Sequence, residues 1–252
     1  MSEWIALGLI ALAAGIVDAV MGGGGMLQLP ALFALFPDVA PAALLGTAKL
    51  AALAGTSGAA LQYAQARAPQ RSTLVPAVLA AFVASLLGAY AISQVPGGPL
   101  RKALPFLLLA LLAITARGDL GLRHAPRFGK AHEGALAAAG TGAIGFYDGF
   151  FGPGAGVFYK VWFVRALGFD FLNAAAPAKF ANVASNVAAL AVFAAQGLVL
   201  WKVAIFMAAC NFVGGQIGSR IALRFGNRFI RWAFVATVCV LIARTFAAAY
   251  LS

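Results

Sequence analysis

The sequence predicts an all-α membrane protein that crosses the bilayer several times, built from two related halves. Of its 252 residues, 63% are hydrophobic and 10% are charged, and the mean hydropathy is +0.92. These values lie far outside the range of soluble globular domains. Apolar runs long enough to cross a hydrocarbon core of about 30 Å recur from end to end, and we expect about eight to ten membrane segments.

An internal repeat divides the chain. A shift of 130 residues superposes residues of one half on identical residues of the other. The matched pairs are Gly15 and Gly145, Asp18 and Asp148, Gly22 and Gly152, Gly24 and Gly154, and Lys49 and Lys179. Such a set at one fixed offset indicates a duplication. We therefore predict a first membrane repeat over 1–116, a basic linker over 117–133 and a second membrane repeat over 134–252.

Each half has the same predicted order: an apolar segment, a glycine break, a short segment and three further runs. The runs are 4–21, 26–36, 42–65, 73–95 and 100–116, then 134–151, 156–168, 172–195, 200–224 and 229–249. Four consecutive glycines at 22–25 cost about 1 kcal/mol each in a helix interior, and Pro153 breaks the helix at 152–156. In lipid, such a break is tolerated where the backbone faces protein or a water-filled cavity. The breaks are predicted as interrupted helices or re-entrant hairpins.

The basic residues favour inverted repeats. If each break lies within a single crossing, eight Lys and Arg fall on each side of the membrane, without bias. If the chain doubles back at the breaks, twelve fall on the linker side and four on the other. The twelve are Arg67, Arg71, Arg117, Arg123, Arg127, Lys130, Lys160, Arg165, Arg220, Arg224, Arg228 and Arg231, and the four are Arg101, Lys102, Lys202 and Arg244. The positive-inside rule then predicts an inner-membrane protein with a cytoplasmic linker and external termini.

Paired lysines inside apolar runs indicate an anion site. Lys49 lies about ten residues into its segment, roughly 15 Å deep, and Lys179 is its counterpart. A charge at that depth costs at least about 2.5 kcal/mol, which makes a functional role the first hypothesis. The helices that restart after the breaks direct N–H groups and positive dipole ends towards the same region. The predicted substrate-binding residues are Lys49, Lys179, Gly23, Gly24, Gly25, Gly154, Ala155, Gly156, Asn182, Asn186 and Thr56.

Two aspartates accompany the lysines. Asp18 and Asp148 are candidates for coupling or for orienting the lysines. A structural alternative stays open, in which each aspartate pairs with the lysine of its own half and locks that half. Gly214, Gly215 and Gly218 are interpreted as close helix contacts, as expected for small residues in membrane helices.

Several function classes have no support in the sequence. The net charge of +11 comes largely from short loops between apolar runs, which argues against nucleic-acid binding. His124 and His132 lie in the linker without Cys or carboxylate clusters, and Cys210 and Cys239 have no metal-site spacing. No recognised catalytic or phosphate-binding motif is present. We predict no metal, no cofactor and no enzymatic activity.

The same residues resemble a known family. The stretches GIVDAVMGGGGMLQLPALF, LLGTAKLAALAGTSGA, GFYDGFFGPGAGVFYKVWFVRALGFD and APAKFANVASNVAAL are similar to the two signatures of the TauE/SafE sulfite exporter family, over nearly the whole chain. The resemblance implies a membrane permease for sulfite, thiosulfate, sulfoacetate or related organosulfur anions. Val157 and Phe158 stand where the family leads us to expect a small polar residue, so that side of the cavity is expected to be narrower or more apolar.

The predicted function is secondary transport of small anions, by an exporter or permease that alternately exposes a midplane site. An anion channel and a non-transporting structural subunit are the alternatives. The sequence leaves open the substrate, the direction, the coupling by protons or another ion, and any homo-oligomer.

Overall fold

The computed structural model describes residues 2–95 and 129–250, and the side chains in these ranges apart from residues 2, 3, 130, 131 and 227–250. The described part of the chain contains helices and connecting turns. The helices are α1 (Ser2–Met21), α2 (Gly25–Leu35), α3 (Pro41–Ala66), α4 (Arg71–Ser93), α5 (Lys130–Phe150), α6 (Ala155–Arg165), α7 (Phe171–Ala195) and α8 (Trp201–Tyr250). The all-α prediction is confirmed.

Element boundaries follow the apolar runs closely, with two differences. Helix α5 begins at Lys130, four residues ahead of the predicted run, because the polar end of the linker continues the helix. Helix α8 covers the two runs predicted after residue 200, but Gly226 has φ 72° and ψ −165°, so a kink separates them. The predicted segment 100–116 and linker residues 117–128 lie outside the described residues.

Four of the described helices are long and apolar enough to cross a bilayer: α1, α3, α4 and α7. Helices α2 and α6, which follow the two breaks, have 11 residues each. At 1.5 Å per residue each covers about 16 Å, roughly half of the hydrocarbon thickness. These two helices are therefore too short to cross the membrane by themselves.

Most of the helix contacts are made between the two halves. Helix α1 packs on α8 and α4 packs on α5, so the first helix of each half contacts the fourth of the other. Helix α3 packs on α8, α4 packs on α7, and α3 also contacts α7. Exchanging the halves reproduces the same set of contacts. This arrangement brings residues from both halves to the centre of the molecule.

Small residues allow these helices to approach closely. A Cβ added at Gly215 or Gly218 would lie 2.5 Å from the carbonyl oxygen of Gly55 or Ile16, and one at Gly214 would clash with the carbonyl oxygen of Leu12. These three glycines are close helix contacts, as predicted.

Candidate functional site

Two buried ion pairs join the halves. Lys49 Nζ lies 2.6 Å from Asp148 Oδ1, and Lys179 Nζ lies 2.6 Å from Asp18 Oδ2. Each ammonium also donates to the main-chain carbonyl of the same aspartate. The structural alternative places both partners in one half, and this pairing is wrong: each lysine bonds the aspartate of the other half. The reason is that α3, which carries Lys49, and α7, which carries Lys179, pack on each other across the interface of the halves.

A hydroxyl completes the contacts of each aspartate. Thr56 Oγ1 donates to Asp18 Oδ2 at 2.9 Å, and the Ser185 hydroxyl donates to Asp148 Oδ2. The sequence predicts Thr56 as a substrate contact, whereas in the structure its hydroxyl faces the carboxylate. The buried carboxylates are thus held by a lysine and a hydroxyl, which offsets much of the desolvation of the charges.

The two glycine breaks meet at the interface of the halves. Gly22 and Gly152 adopt φ values of 97° and 95°, a region that favours glycine. A Cβ on Gly22 would overlap the main chain of Gly156, so the first break packs against the start of α6. Main-chain atoms of the two breaks are therefore in direct contact.

A cavity with a volume of about 40 Å³ opens between the breaks and the ion pairs. This is room for about three water molecules or one small ion. The lining comes from both halves and combines charged, polar and small residues. It comprises Asp18, Gly22, Gly25, Gln28, Leu29, Leu45, Ala48, Lys49, Ala52, Asp148, Phe151, Gly152, Pro153, Gly154, Gly156, Asn182 and Asn186.

The predicted site residues divide between the cavity and its surroundings. Those that line it are Lys49, Gly25, Gly154, Gly156, Asn182, Asn186, Asp18 and Asp148, and those outside its lining are Lys179, Gly23, Gly24, Ala155 and Thr56. Lys179 is buried and donates to Asp18. Gly24 packs instead against α1, because a Cβ there would lie 2.5 Å from the Ala14 carbonyl oxygen.

The polar groups around the cavity are mostly hydrogen-bonded already. Asn186 Nδ2 donates to Asn182 Oδ1 at 3.0 Å, and Asn182 Nδ2 lies beside Gly156, where a larger residue would leave too little room. Gln28 is an exception, because its buried amide has no hydrogen-bond partner within the described part of the chain. The sequence indicates that Gln28 is polar enough to line a cavity but does not place it there.

Lys160 is a third buried lysine next to the site. Its side chain is 2% exposed, and Nζ donates to the Val20 carbonyl oxygen near the end of α1 at 2.7 Å. The charge count includes Lys160 among the residues on the linker side, and its burial removes it from that count without reversing the bias. Its position inside the apolar run 156–168 is the signal for burial. With Lys49, Lys179, Asp18 and Asp148, it makes a group of three buried lysines and two buried aspartates at the centre.

The known proteins that this chain resembles are named as exporters or probable membrane transporters. The profile described as "Sulfite exporter TauE/SafE" matches residues 7–245. The chain is 37% identical over 238 residues to "Probable membrane transporter protein ORF9" of Sinorhizobium sp, covering 94% of this chain and 90% of that protein. It is 36% identical over 236 residues to "Probable membrane transporter protein YfcA" of Escherichia coli (strain K12), covering 93% and 86%.

A third relative, "Probable membrane transporter protein" of Haemophilus influenzae, is 35% identical over 226 residues, covering 88% of this chain and 86% of its own length. No solved structure matches the chain.

Proposed function

Because the chain belongs to the sulfite exporter TauE/SafE family and is a multi-pass membrane transporter rather than an enzyme, we propose that it transports small sulfur-containing anions as a secondary transporter. Sulfite, thiosulfate and sulfoacetate are the substrates to test first. The observation that carries this proposal is the cavity between the halves, which is lined by Lys49 and by both glycine breaks. A cation and the starts of two helices beside one small cavity are suited to an anion.

The position of Lys49 supports a small anion. Among the three lysines and two aspartates buried around the centre, Lys49 is the lysine that lines the cavity. An anion in the cavity would pair with this ammonium. The volume of about 40 Å³ favours compact oxyanions over longer organosulfonates in this conformation.

Asp148 has a role in the proposed cycle because its carboxylate pairs with the Lys49 ammonium. The ammonium and carboxylate are 2.6 Å apart, so an anion that binds Lys49 must share the cation with Asp148 or replace it. Protonation of Asp148 would free Lys49 for the anion and would couple a proton to its movement. Asp18 and Lys179 form the equivalent ion pair, in which the first half supplies the aspartate and the second half the lysine.

Alternating access would follow from movement of the halves around the cavity. We propose inverted repeats, a cytoplasmic linker and external termini in the inner membrane. A membrane potential that is negative inside favours anion export by about 2.3 kcal/mol per charge per 100 mV. Export is therefore the proposed direction, because the potential can drive it without the proton that Asp148 would couple, whereas import would need that proton or another ion.

Flux into proteoliposomes tests the proposal with a variant that separates transport from structure. Lys49→Met/Asp148→Leu removes both members of one ion pair and leaves no unpaired charge, so the protein should fold. We expect saturable flux of radiolabelled sulfite or thiosulfate in wild-type protein, and a loss of at least about 100-fold in the variant, which lacks a cation worth roughly 3 kcal/mol to the anion.

The controls separate the competing functions. Sulfate serves as a comparison anion, and both proteins are reconstituted at equal monodispersity. Wild-type flux in a folded double variant would show that the ion pair is structural and would remove Lys49 from the site. Flux that rises linearly without saturation would favour a channel, and no flux of any anion in the series would contradict the proposed substrate class.

A further inference from the structure

The side chain of Gln28 has an unusual environment. It lies in the first turn of α2 and is 1% exposed, yet neither Nε2 nor Oε1 has a hydrogen-bond partner in the described part of the chain. Buried amide groups are nearly always hydrogen-bonded, because an unsatisfied donor or acceptor is strongly unfavourable. An amide kept in this state indicates that a partner binds there during function.

The cavity supplies the place for that partner. Gln28 lines it together with Lys49, Gly25 and Gly154. Each other polar side chain of the lining has at least one partner, through the two ion pairs or the bond between Asn186 and Asn182. The amide of Gln28 differs because neither of its two polar atoms has a hydrogen-bond partner in the described part of the chain.

The fold does not require an amide at this position. The residue 130 positions later is Phe158, in the equivalent turn of α6, and its ring packs on Tyr147 with centroids 5.5 Å apart. Phe158 is not among the residues that line the cavity. One half thus supplies a polar group to the cavity where the other half supplies apolar packing, and a structural role common to both halves does not explain Gln28.

We propose that Gln28 is a substrate-binding residue, whose Nε2 donates a hydrogen bond to an oxygen of the anion held beside Lys49. The inference rests on the proposed function. Lys49 provides charge without direction, whereas the planar amide fixes where an oxygen sits. Oε1 remains available to a water or to a proton carried by the anion. Gln28 would therefore select small oxyanions over spherical anions such as chloride.

Transport kinetics and ligand-induced stabilisation test this role together. The variants are Gln28→Leu and Gln28→Met, which keep the size and remove the unsatisfied amide. Because the amide makes no hydrogen bond within residues 2–95 and 129–250, we expect the melting temperature without anion to be unchanged or higher. We expect KM for sulfite or thiosulfate to rise about 10-fold to 100-fold, the usual effect of one hydrogen bond to a charged group, and stabilisation by the same anion to weaken in parallel.

Gln62→Leu is the matched control. Gln62 is a part-buried glutamine on α3 that donates to Gln216 and lies outside the cavity lining. This variant should have a lower melting temperature and an unchanged KM, the opposite of the Gln28 variants. A further measurement compares how strongly chloride and sulfite inhibit thiosulfate flux. Inhibition by chloride should become stronger relative to inhibition by sulfite in Gln28→Leu.

The outcomes distinguish the two proposals. If wild-type protein transports or is stabilised by an anion and the Gln28 variants have the same KM, this inference is overturned and the proposed function stands. If both Gln28 variants fail to fold, the amide is structural and the inference is also overturned. If no anion of the series binds or is transported by wild-type protein, the proposed function fails and takes the inference with it.

Discussion

The two halves of the molecule carry the same ion pairs in different surroundings. Lys49 is the ninth residue of α3 and Lys179 the ninth of α7, and each donates to the aspartate of the opposite half. Lys49 lines the cavity, however, whereas Lys179 lies outside its lining. The ion-pair contacts are therefore the same in both halves, whereas only one of the two lysines borders the cavity.

The short helices explain much of this difference. In α2, positions 28 and 30 are Gln28 and Pro30, and the equivalent positions of α6 are Phe158 and Lys160. Gln28 lines the cavity, whereas Lys160 lies outside its lining and donates to the Val20 carbonyl oxygen across the interface. The comparison indicates that the ion pairs are common to both halves, and that the residues of the short helices determine which side of the ion pairs borders the cavity.

The largest expected effect comes from breaking one ion pair at a time. Lys49→Met leaves Asp148 buried without its cation, and Lys179→Met does the same to Asp18. Removing one partner of a buried pair costs about 3–5 kcal/mol. We expect a large fall in melting temperature for both single variants, measured by size-exclusion fluorescence after heating, and a smaller fall for Lys179→Met, because the Asp18 side chain is 11% exposed against 3% for Asp148.

The double variants sharpen this comparison. Lys49→Met/Asp148→Leu and Lys179→Met/Asp18→Leu leave no unpaired charge, and each should recover most of the stability lost in its single variant. If the double variants are as unstable as the singles, the ion pairs do not set the stability of the interface. Equal single effects would show that the difference in exposure has no energetic consequence.

The ionisable centre could be identified from the sequence because local patterns mark it. Lys49 and Lys179 interrupt apolar runs, and the 130-residue offset pairs them with each other and Asp18 with Asp148. The long helices were predictable for a similar reason, since hydrophobic length sets them. Partner choice was different: whether Lys49 meets Asp18 or Asp148 depends on which helices pack together, and no local pattern carries that information.

The glycine run shows a second limit. GGGG at 22–25 predicts a break, but the sequence does not indicate which structural role each glycine has. In the structure Gly22 has positive φ and touches Gly156, Gly24 packs on Ala14, and Gly25 lines the cavity. Gln28 was beyond prediction for the same reason, because a missing hydrogen-bond partner is a property of the packed surroundings. The roles of the predicted site residues stay predictions.

The second effect in size should separate neighbouring glycines. Gly22→Ala combines φ 97° with a Cβ that would overlap the main chain of Gly156. Positive φ in a non-glycine residue costs about 1–3 kcal/mol, and the overlap adds to this. Gly23→Ala is the control, because its Cβ would be 3.7 Å from Val17 Cγ1 with ordinary backbone angles. We expect a clear fall in melting temperature for Gly22→Ala and almost none for Gly23→Ala.

Gly152→Ala extends this test to the other half. It has φ 95°, but the nearest neighbour of an added Cβ would be the end of a side chain, Lys49 Nζ, at 2.9 Å. The lysine can move where the main chain at Gly156 cannot, so the stability loss should be smaller than for Gly22→Ala, while flux should fall because Lys49 is displaced. Equal stability in all three variants would contradict the close contact of the two breaks.

The smallest effect concerns the hydroxyls that complete the aspartates. Thr56→Val removes the donor to Asp18 Oδ2 at near-constant shape, and Ser185→Ala removes the donor to Asp148 Oδ2. Loss of a hydrogen bond to a buried charge is worth about 1.5–3 kcal/mol, and less where water replaces the donor. Asp18 is the more exposed carboxylate, so water should compensate better there. Thermal unfolding should therefore show a smaller loss of stability for Thr56→Val than for Ser185→Ala. The reverse order would mean that water reaches the Lys49–Asp148 pair, both of whose residues line the cavity, better than it reaches the Lys179–Asp18 pair.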